Sequence, residues 1–196
     1  MQTPKNNLFP IFLKLSQLRV LIVGGGFVGQ EKLEALLKND PTAQVKILGR
    51  EVSDSLINLA AGNDKIECIV KPFEDTDIDE TIDMVIAATD SRDINLAIRN
   101  AAKSRRLLVN VADTPDLCDF YLGSTVTKGQ LKIGISTNGT SPTFARRFRQ
   151  VLEEILPEET DDLLANLKLI RDDLKGDFAS KVIQLNELTS SLIKMK

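Results

Sequence analysis

Arg19-Val-Leu-Ile-Val-Gly-Gly-Gly-Phe-Val-Gly29 is the stretch that decides the fold. Residues 20–23 are apolar without alternation, the pattern of a strand buried on both faces of a parallel sheet. Gly24, Gly26 and Gly29 then make a GxGxxG spacing. A helical run over 28–38 follows, with Leu33, Leu36 and Leu37 at helical spacing and Asn39-Asp-Pro41 as its stop. Strand, glycine turn and helix in that order are the context in which this motif holds a dinucleotide. The first glycine permits the tight turn, the second lets the backbone approach a pyrophosphate, and the third lets helix and strand pack closely. Gly24, Gly25, Gly26, Phe27, Val28 and Gly29 are therefore the candidate phosphate cradle, at the positive end of the helix dipole. The alternative is a glycine-rich turn with no ligand.

Outward from this motif, strands and helices alternate. Strands are expected over 44–48, 66–71, 84–88 and 107–111. Helices are expected over 53–61 and 90–104, the latter with Ile94, Ala97, Ile98 and Ala101 inward. That alternation predicts an α/β fold, a Rossmann-type doubly wound parallel sheet with helices on both faces. The pattern changes after Asp113. Runs 120–127 and 130–137, joined at Lys128-Gly129, read as an antiparallel hairpin. Helices follow over 143–156 and through the rest of the chain. Leu163, Leu164, Leu167, Ile170 and Leu174 form one stripe, and Val182, Leu185, Leu188 and Leu192 another, each a core or partner face. The expected division is 1–113 for dinucleotide binding, 114–142 for a small β-rich segment and 143–196 for a helical C-terminal domain.

Composition narrows the chemistry. The 196 residues are 42% hydrophobic and 27% charged, with a net charge of −3, so neither disorder nor a nucleic-acid partner is expected. No apolar run approaches the about 20 residues that span a bilayer, and no signal peptide is evident at the N-terminus. A cytoplasmic chain without a membrane partner is the expectation. Cys68 and Cys118 form no CxxC pair, so neither a disulfide framework nor a metal site is expected. Histidine is absent. Ser-His-Asp and Cys-His catalysis are thereby excluded, and acid–base work falls to carboxylates, Lys, Tyr, Cys, water or a cofactor.

In a doubly wound sheet, ligands bind beyond the carboxyl ends of the strands. Leu48-Gly49-Arg50-Glu51 ends the second strand, where an acidic residue normally holds the ribose of NAD. Glu51 serves one register late, whereas Arg50 suits the 2′-phosphate of NADP. Thr89 and Asp90 end the fourth strand, near the dinucleotide or as helix caps. Asn110 and Val111 lead to Asp113 at the end of the fifth, the carboxylate best placed to face both cofactor and substrate. Its alternative role is a turn before Pro115.

Several dehydrogenase classes fail on residues. Tyr121 has Thr125 where a Tyr-x-x-x-Lys pair needs lysine, and zinc and histidine-dependent enzymes lack their ligands. The chain resembles the precorrin-2 dehydrogenases, the N-terminal module of siroheme synthase, some of which are also sirohydrochlorin ferrochelatases. The resemblance runs from about residue 8 to 157. It rests on Phe9-Pro-Ile-Phe12, Val23-Gly-Gly-Gly26, Ala87-Ala-Thr-Asp90, Val109-Asn-Val-Ala-Asp113 and Leu117-Cys-Asp-Phe120. Ile135-Ser-Thr-Asn-Gly-Thr-Ser-Pro142 leading into Ala145-Arg-Arg147 completes it. Leu122-Gly123-Ser124 departs from it, since relatives often carry proline before that serine.

The resemblance implies oxidation of precorrin-2 to sirohydrochlorin by NAD, with Fe2+ insertion giving siroheme where chelatase activity exists. It implies a homodimer whose β-rich segment is a dimerisation domain, and a tetrapyrrole substrate. It makes Asp113 the catalytic residue and puts Ser136, Thr137, Asn138 and Gly139 at the substrate cleft. With the sequence ending at Lys196, no fused methyltransferase module is expected. Arg146 and Arg147, beside Arg149, are candidates to receive the substrate's carboxylates. Two other classes stay open: a non-catalytic dinucleotide-sensing module, and a chelatase without redox activity.

Overall fold

The structure is a computed structural model and describes residues 5–190. The chain divides into two compact units. One is Phe9–Leu122; the other joins Met1–Leu8 to Gly123–Lys196.

The unit Phe9–Leu122 is a five-stranded parallel sheet. Its strands are β1 (Arg19–Gly25), β2 (Gln44–Val52), β3 (Ile66–Val70), β4 (Met84–Ala87) and β5 (Leu108–Val111), in the order β3-β2-β1-β4-β5. Three helices, α1 (Phe27–Asn39), α2 (Asp54–Ala60) and α3 (Arg92–Ser104), connect them. The alternation of side chains along β1 explains why its sequence is apolar throughout. Val20 and Ile22 face a core with Leu33 and Leu36 of α1 and Leu56 of α2. Leu21 and Val23 face the opposite core, with Ile98, Ala101 and Ala102 of α3. The chain order reverses between β1 and β4, so the crevice for a ligand lies at their carboxyl ends.

The structure corrects several details of the sequence reading. β2 runs on to Val52 instead of stopping at Leu48. Val23 pairs with Leu48 while Gly25 pairs with Val52, so β2 carries a bulge through Gly49, Arg50 and Glu51. Helix α3 starts at Arg92, and its cap is Ser91, whose hydroxyl accepts from the Ile94 N–H, so neither Thr89 nor Asp90 caps it. Ala97 is exposed, and the inward position is taken by buried Asn95.

Segment 114–122, expected with the β-rich part, belongs to the sheet unit. The reason is that it closes the free edge of β5, which would otherwise offer unpaired N–H and C=O groups. The Val109 N–H donates to Asp119 Oδ2 at 3.0 Å, and the Asp119 N–H donates back to the Val109 carbonyl at 2.8 Å. Lys103 Nζ holds both Asp119 oxygens at 2.9 Å. Arg99 Nε donates to the Leu117 carbonyl, and Asn110 Nδ2 to the Phe120 carbonyl at 2.8 Å.

In the other unit, β6 (Ser124–Lys128) and β7 (Leu131–Ile135) form the antiparallel hairpin. Residues 120–123, expected as strand, are not part of it. Helix α4 (Pro142–Ile155) packs on β6. Val126 and Ala145 are the unit's buried apolar residues among those described. Helices α5 (Thr160–Asp173) and α6 (Phe178–Thr189) follow, and neither buries a residue. Their leucine stripes are therefore not core within this chain; Leu192 lies outside the described residues. The hairpin tip holds the start of α5. Gly129, at φ +53°, has Asp161 against it, and the Gln130 N–H donates to Asp161 Oδ1 at 2.8 Å. Lys128 pairs with Glu158.

Burial alone would raise the Asp119 carboxyl pKa, but the Lys103 ammonium and the Val109 N–H outweigh it and hold it below the ordinary value. A group depressed on folding stabilises the fold above its unfolded pKa, about 3.9 for aspartate, and loses that contribution as pH falls through the folded value. Asp119→Asn is expected to melt below wild type at neutral pH. In thermal scans across pH the gap should begin to narrow as pH falls past about 3.9 and close only below the lower folded-state value, where both carry a neutral side chain.

Candidate functional site

Three glycines of the turn after β1 are required by backbone contact. Gly24 stands at φ +134°, and a β-carbon there would meet the Ala88 carbonyl oxygen at 2.2 Å. At Gly25 it would meet the Glu51 oxygen at 2.1 Å, and at Gly29 the Gly24 oxygen at 1.9 Å. The turn is thus pressed between the bulge of β2 and the end of β4, with α1 packed against the end of β1. Gly26 differs: a β-carbon there would meet nothing within 4 Å. Its bare face opens outward.

Gly26 is also the N-cap of α1 and provides no side-chain oxygen to the first turn, which holds no acidic residue. The N–H groups of that turn therefore lack a capping side chain, and the helix dipole is not offset locally. Open space, backbone donors and a positive helix end together fit a pyrophosphate. The residues present at this turn fit the pyrophosphate of a dinucleotide.

Arg50 and Glu51 stand on the bulge, both exposed, and neither side chain makes an ion pair or hydrogen bond among the described residues. Either is available to a ribose or its phosphate. The hydroxyl of Thr89 is used internally, donating to Asn95 Oδ1 at 2.7 Å, while Asn95 Nδ2 donates to the Thr89 carbonyl at 2.9 Å. Asn95 thus fixes the loop after β4, a role the sequence reading missed. Its signal was a polar residue one turn before Ile98 on the inward face. Asp90 is exposed with no partner in the described chain. Asn110 is buried with its amide committed to Phe120, so its part at a cofactor site is limited to its position under the strand end.

Asp113 follows β5 in a tight turn closed by the Thr114 N–H on the Val111 carbonyl at 3.3 Å. Its φ is +54°, a left-handed conformation that aspartate tolerates better than most residues. It is exposed, and its carboxylate has no partner among the described residues. A free carboxylate at the carboxyl edge of the sheet, in a chain without histidine, is equipped to accept a proton.

The Ser/Thr loop lies in the other unit. Asn138 and Gly139 are both left-handed, at φ +51° and +76°, and the Thr140 N–H closes their turn on Thr137 at 3.0 Å. Ser136 Oγ accepts from the Asn138 N–H, Thr137 Oγ1 from the Ser141 N–H, and Ser141 caps α4. Arg147 donates to Gln150, Arg149 pairs with Glu153, and Arg146 has no partner among the described residues. Among those residues no group of three or more His, Cys, Asp or Glu is placed to hold a metal ion, and no helix is long and apolar enough to cross a membrane.

Fold and glycine turn define a Rossmann-type, dinucleotide-binding chain. Residues 11–124 match the family described as putative NAD(P)-binding, and residues 128–155 match the sirohaem biosynthesis protein central family. A siroheme synthase of Methylococcus capsulatus is 40% identical over 148 residues, covering 76% of this chain and 30% of that protein. One of Ruthia magnifica is 34% identical over 174 residues, covering 89% and 36%. The chain thus spans about a third of the length of these curated relatives. A solved structure described as SirC, precorrin-2 dehydrogenase, superposes with a TM-score of 0.73 at 22% identity, covering 92% of this chain and 89% of that one. The chain belongs to the family described as putative NAD(P)-binding, and its motifs are similar to those of siroheme synthases.

Gly26 separates ligand from fold. Gly26→Ala is expected to melt like wild type, since its methyl enters open space, but to lose affinity for NAD+ by calorimetry. Gly24→Ala and Gly29→Ala should instead lower the melting temperature, because their methyls strike backbone. Unchanged NAD+ affinity in Gly26→Ala, or a greater effect on its stability than on its binding, contradicts the assignment.

Proposed function

We propose that this chain catalyses the NAD-dependent dehydrogenation of precorrin-2 to sirohydrochlorin. The observation that carries this reading is one sheet edge bearing both an open glycine cradle at Gly26 and the unpartnered carboxylate of Asp113. Family membership supports the substrate class. The nicotinamide, when bound, supplies the hydride acceptor. The chain's own task is the proton, which Asp113 takes at its carboxylate. Gly24–Gly29 hold the pyrophosphate, with Phe27 and Val28 offering backbone N–H groups. Glu51 is assigned to the adenosine ribose, which favours NAD; Arg50 beside it is the residue through which NADP would bind. Ser136, Thr137, Asn138, Gly139, Arg146 and Arg147 are assigned to the substrate, with cations meeting its carboxylates. The reaction belongs to the cytoplasm in this reading.

A second activity follows from the same carboxylate. Inserting Fe2+ into sirohydrochlorin requires removal of pyrrole protons, and Asp113 is equipped for that as well. Fe2+ is here a substrate.

The proposal includes a homodimer. Phe144, Phe148, Val151 and Ile155 recur along α4 at helical spacing and are all exposed, with the two rings stacked at 5.8 Å. Such a stripe, unpaired in one chain, marks an association face. Light scattering at micromolar concentration is expected to give a dimer, and Phe148→Asp a monomer. A monomeric wild type overturns this part.

Mixing the chain with precorrin-2 and NAD+ is expected to produce NADH. Asp113→Asn, which suits the left-handed backbone, should fold normally and lose about 10²–10⁴-fold in rate. Asp113→Gly, which relieves the backbone altogether, should lose as much. Near wild-type rates in either remove Asp113 from the mechanism. Following siroheme formation in the same variants shows whether one carboxylate serves both steps.

A further inference from the structure

A single sulfur touches both ends of the turn that carries Asp113. The Val111 N–H donates to Cys118 Sγ at 3.2 Å, and Sγ in turn stands 3.1 Å from the Val111 carbonyl oxygen. It is 3.4 Å from the Thr114 carbonyl oxygen and 3.5 Å from Asn110 Nδ2. Val111 and Thr114 are the first and last residues of that turn. Asp113 between them is left-handed, and its carboxylate has no partner of its own among the described residues. Its direction is therefore set by the backbone beneath it.

We propose that Cys118 is a positioning residue for the reaction, its thiol clamping the 111–114 turn and so aiming the Asp113 carboxylate. This rests on the reading of Asp113 given above. The chemistry of the group suits the task. Burial pushes the Cys118 thiol above its ordinary pKa, so at neutral pH the sulfur keeps the proton it gives to a carbonyl. A thiolate would face two carbonyl oxygens with nothing to donate. Thiol hydrogen bonds are weak individually. Cys118 also packs against the core that holds Val109, Val111 and Ile98, so a substitution that keeps its volume is the one that removes the hydrogen bonds alone.

Serine keeps a donor and acceptor at this position; alanine and valine keep neither, and valine also preserves volume. Cys118→Ala and Cys118→Val are expected to lose about 10- to 100-fold in kcat for NADH formation, with the KM for NAD+ unchanged. Cys118→Ser should stay within about threefold of wild type. Amide hydrogen exchange at Val111 and Thr114 should quicken in the alanine variant and stay slow in the serine variant. Should alanine fail to fold, valine gives the same comparison. A kcat within twofold of wild type in both Ala and Val, or equal loss in Ser and Ala, overturns the proposal, provided Asp113→Asn is inactive. A fully active Asp113→Asn would instead show that the reading of Asp113 is at fault. Exchange then judges the clamp alone: unchanged protection at Val111 and Thr114 in Cys118→Ala overturns it.

Discussion

Backbone meeting backbone, with no room for a β-carbon, is the constraint on which the rest of this structure depends. At Gly24, Gly25 and Gly29 an added methyl would fall within 2.2 Å of a carbonyl oxygen of β4's end, of the β2 bulge, or of the turn itself. These contacts draw three strand ends and the start of α1 into one small volume. They leave Gly26 as the position where the missing side chain faces outward. The same packing that closes the fold therefore creates the opening. A phosphate group placed there would meet N–H groups that no side chain caps.

The lateral strand β5 of the same sheet meets a different problem. β5 is an edge strand, and an open edge invites pairing with another chain. Segment 114–122 closes it with side chains: Asp119 serves Val109, Cys118 serves Val111, and Asn110 reaches out to Phe120. Lys103 and Arg99 of α3 tie the segment down. Asp113 stands where the strand leaves the sheet and this closing segment begins. Edge protection and the placing of a candidate catalytic carboxylate are thus one piece of chain.

What the sequence made legible were features that are periodic or glycine-bound. The apolar run of β1, the GxGxxG spacing and the strand–helix alternation arise from repeating burial, and the parallel sheet follows from them. What stayed hidden depended on contacts between distant residues. The bulge through Gly49–Glu51 packs against Gly25, and within residues 44–52 only Gly49 hints at it. Asn95 lies on an apolar-spaced face yet is buried, because its amide satisfies Thr89. Cys118 offered only the lack of a CxxC partner, since a lone cysteine carries no pattern of its own. The stripes of α5 and α6 read as core or partner faces, and only the fold shows that, among the described residues, neither helix buries a side chain.

The central claim is that a nicotinamide dinucleotide lies over Gly26 with Asp113 at the same sheet edge. Two-dimensional amide spectra recorded during an NAD+ titration test it most directly. The account predicts saturable shifts centred on Gly26, Phe27, Val28 and Gly29, with smaller ones at Glu51, Thr89 and Asp113. No shifts at the glycine turn at saturating NAD+, or shifts centred away from the carboxyl ends of β1 and β4, would contradict it.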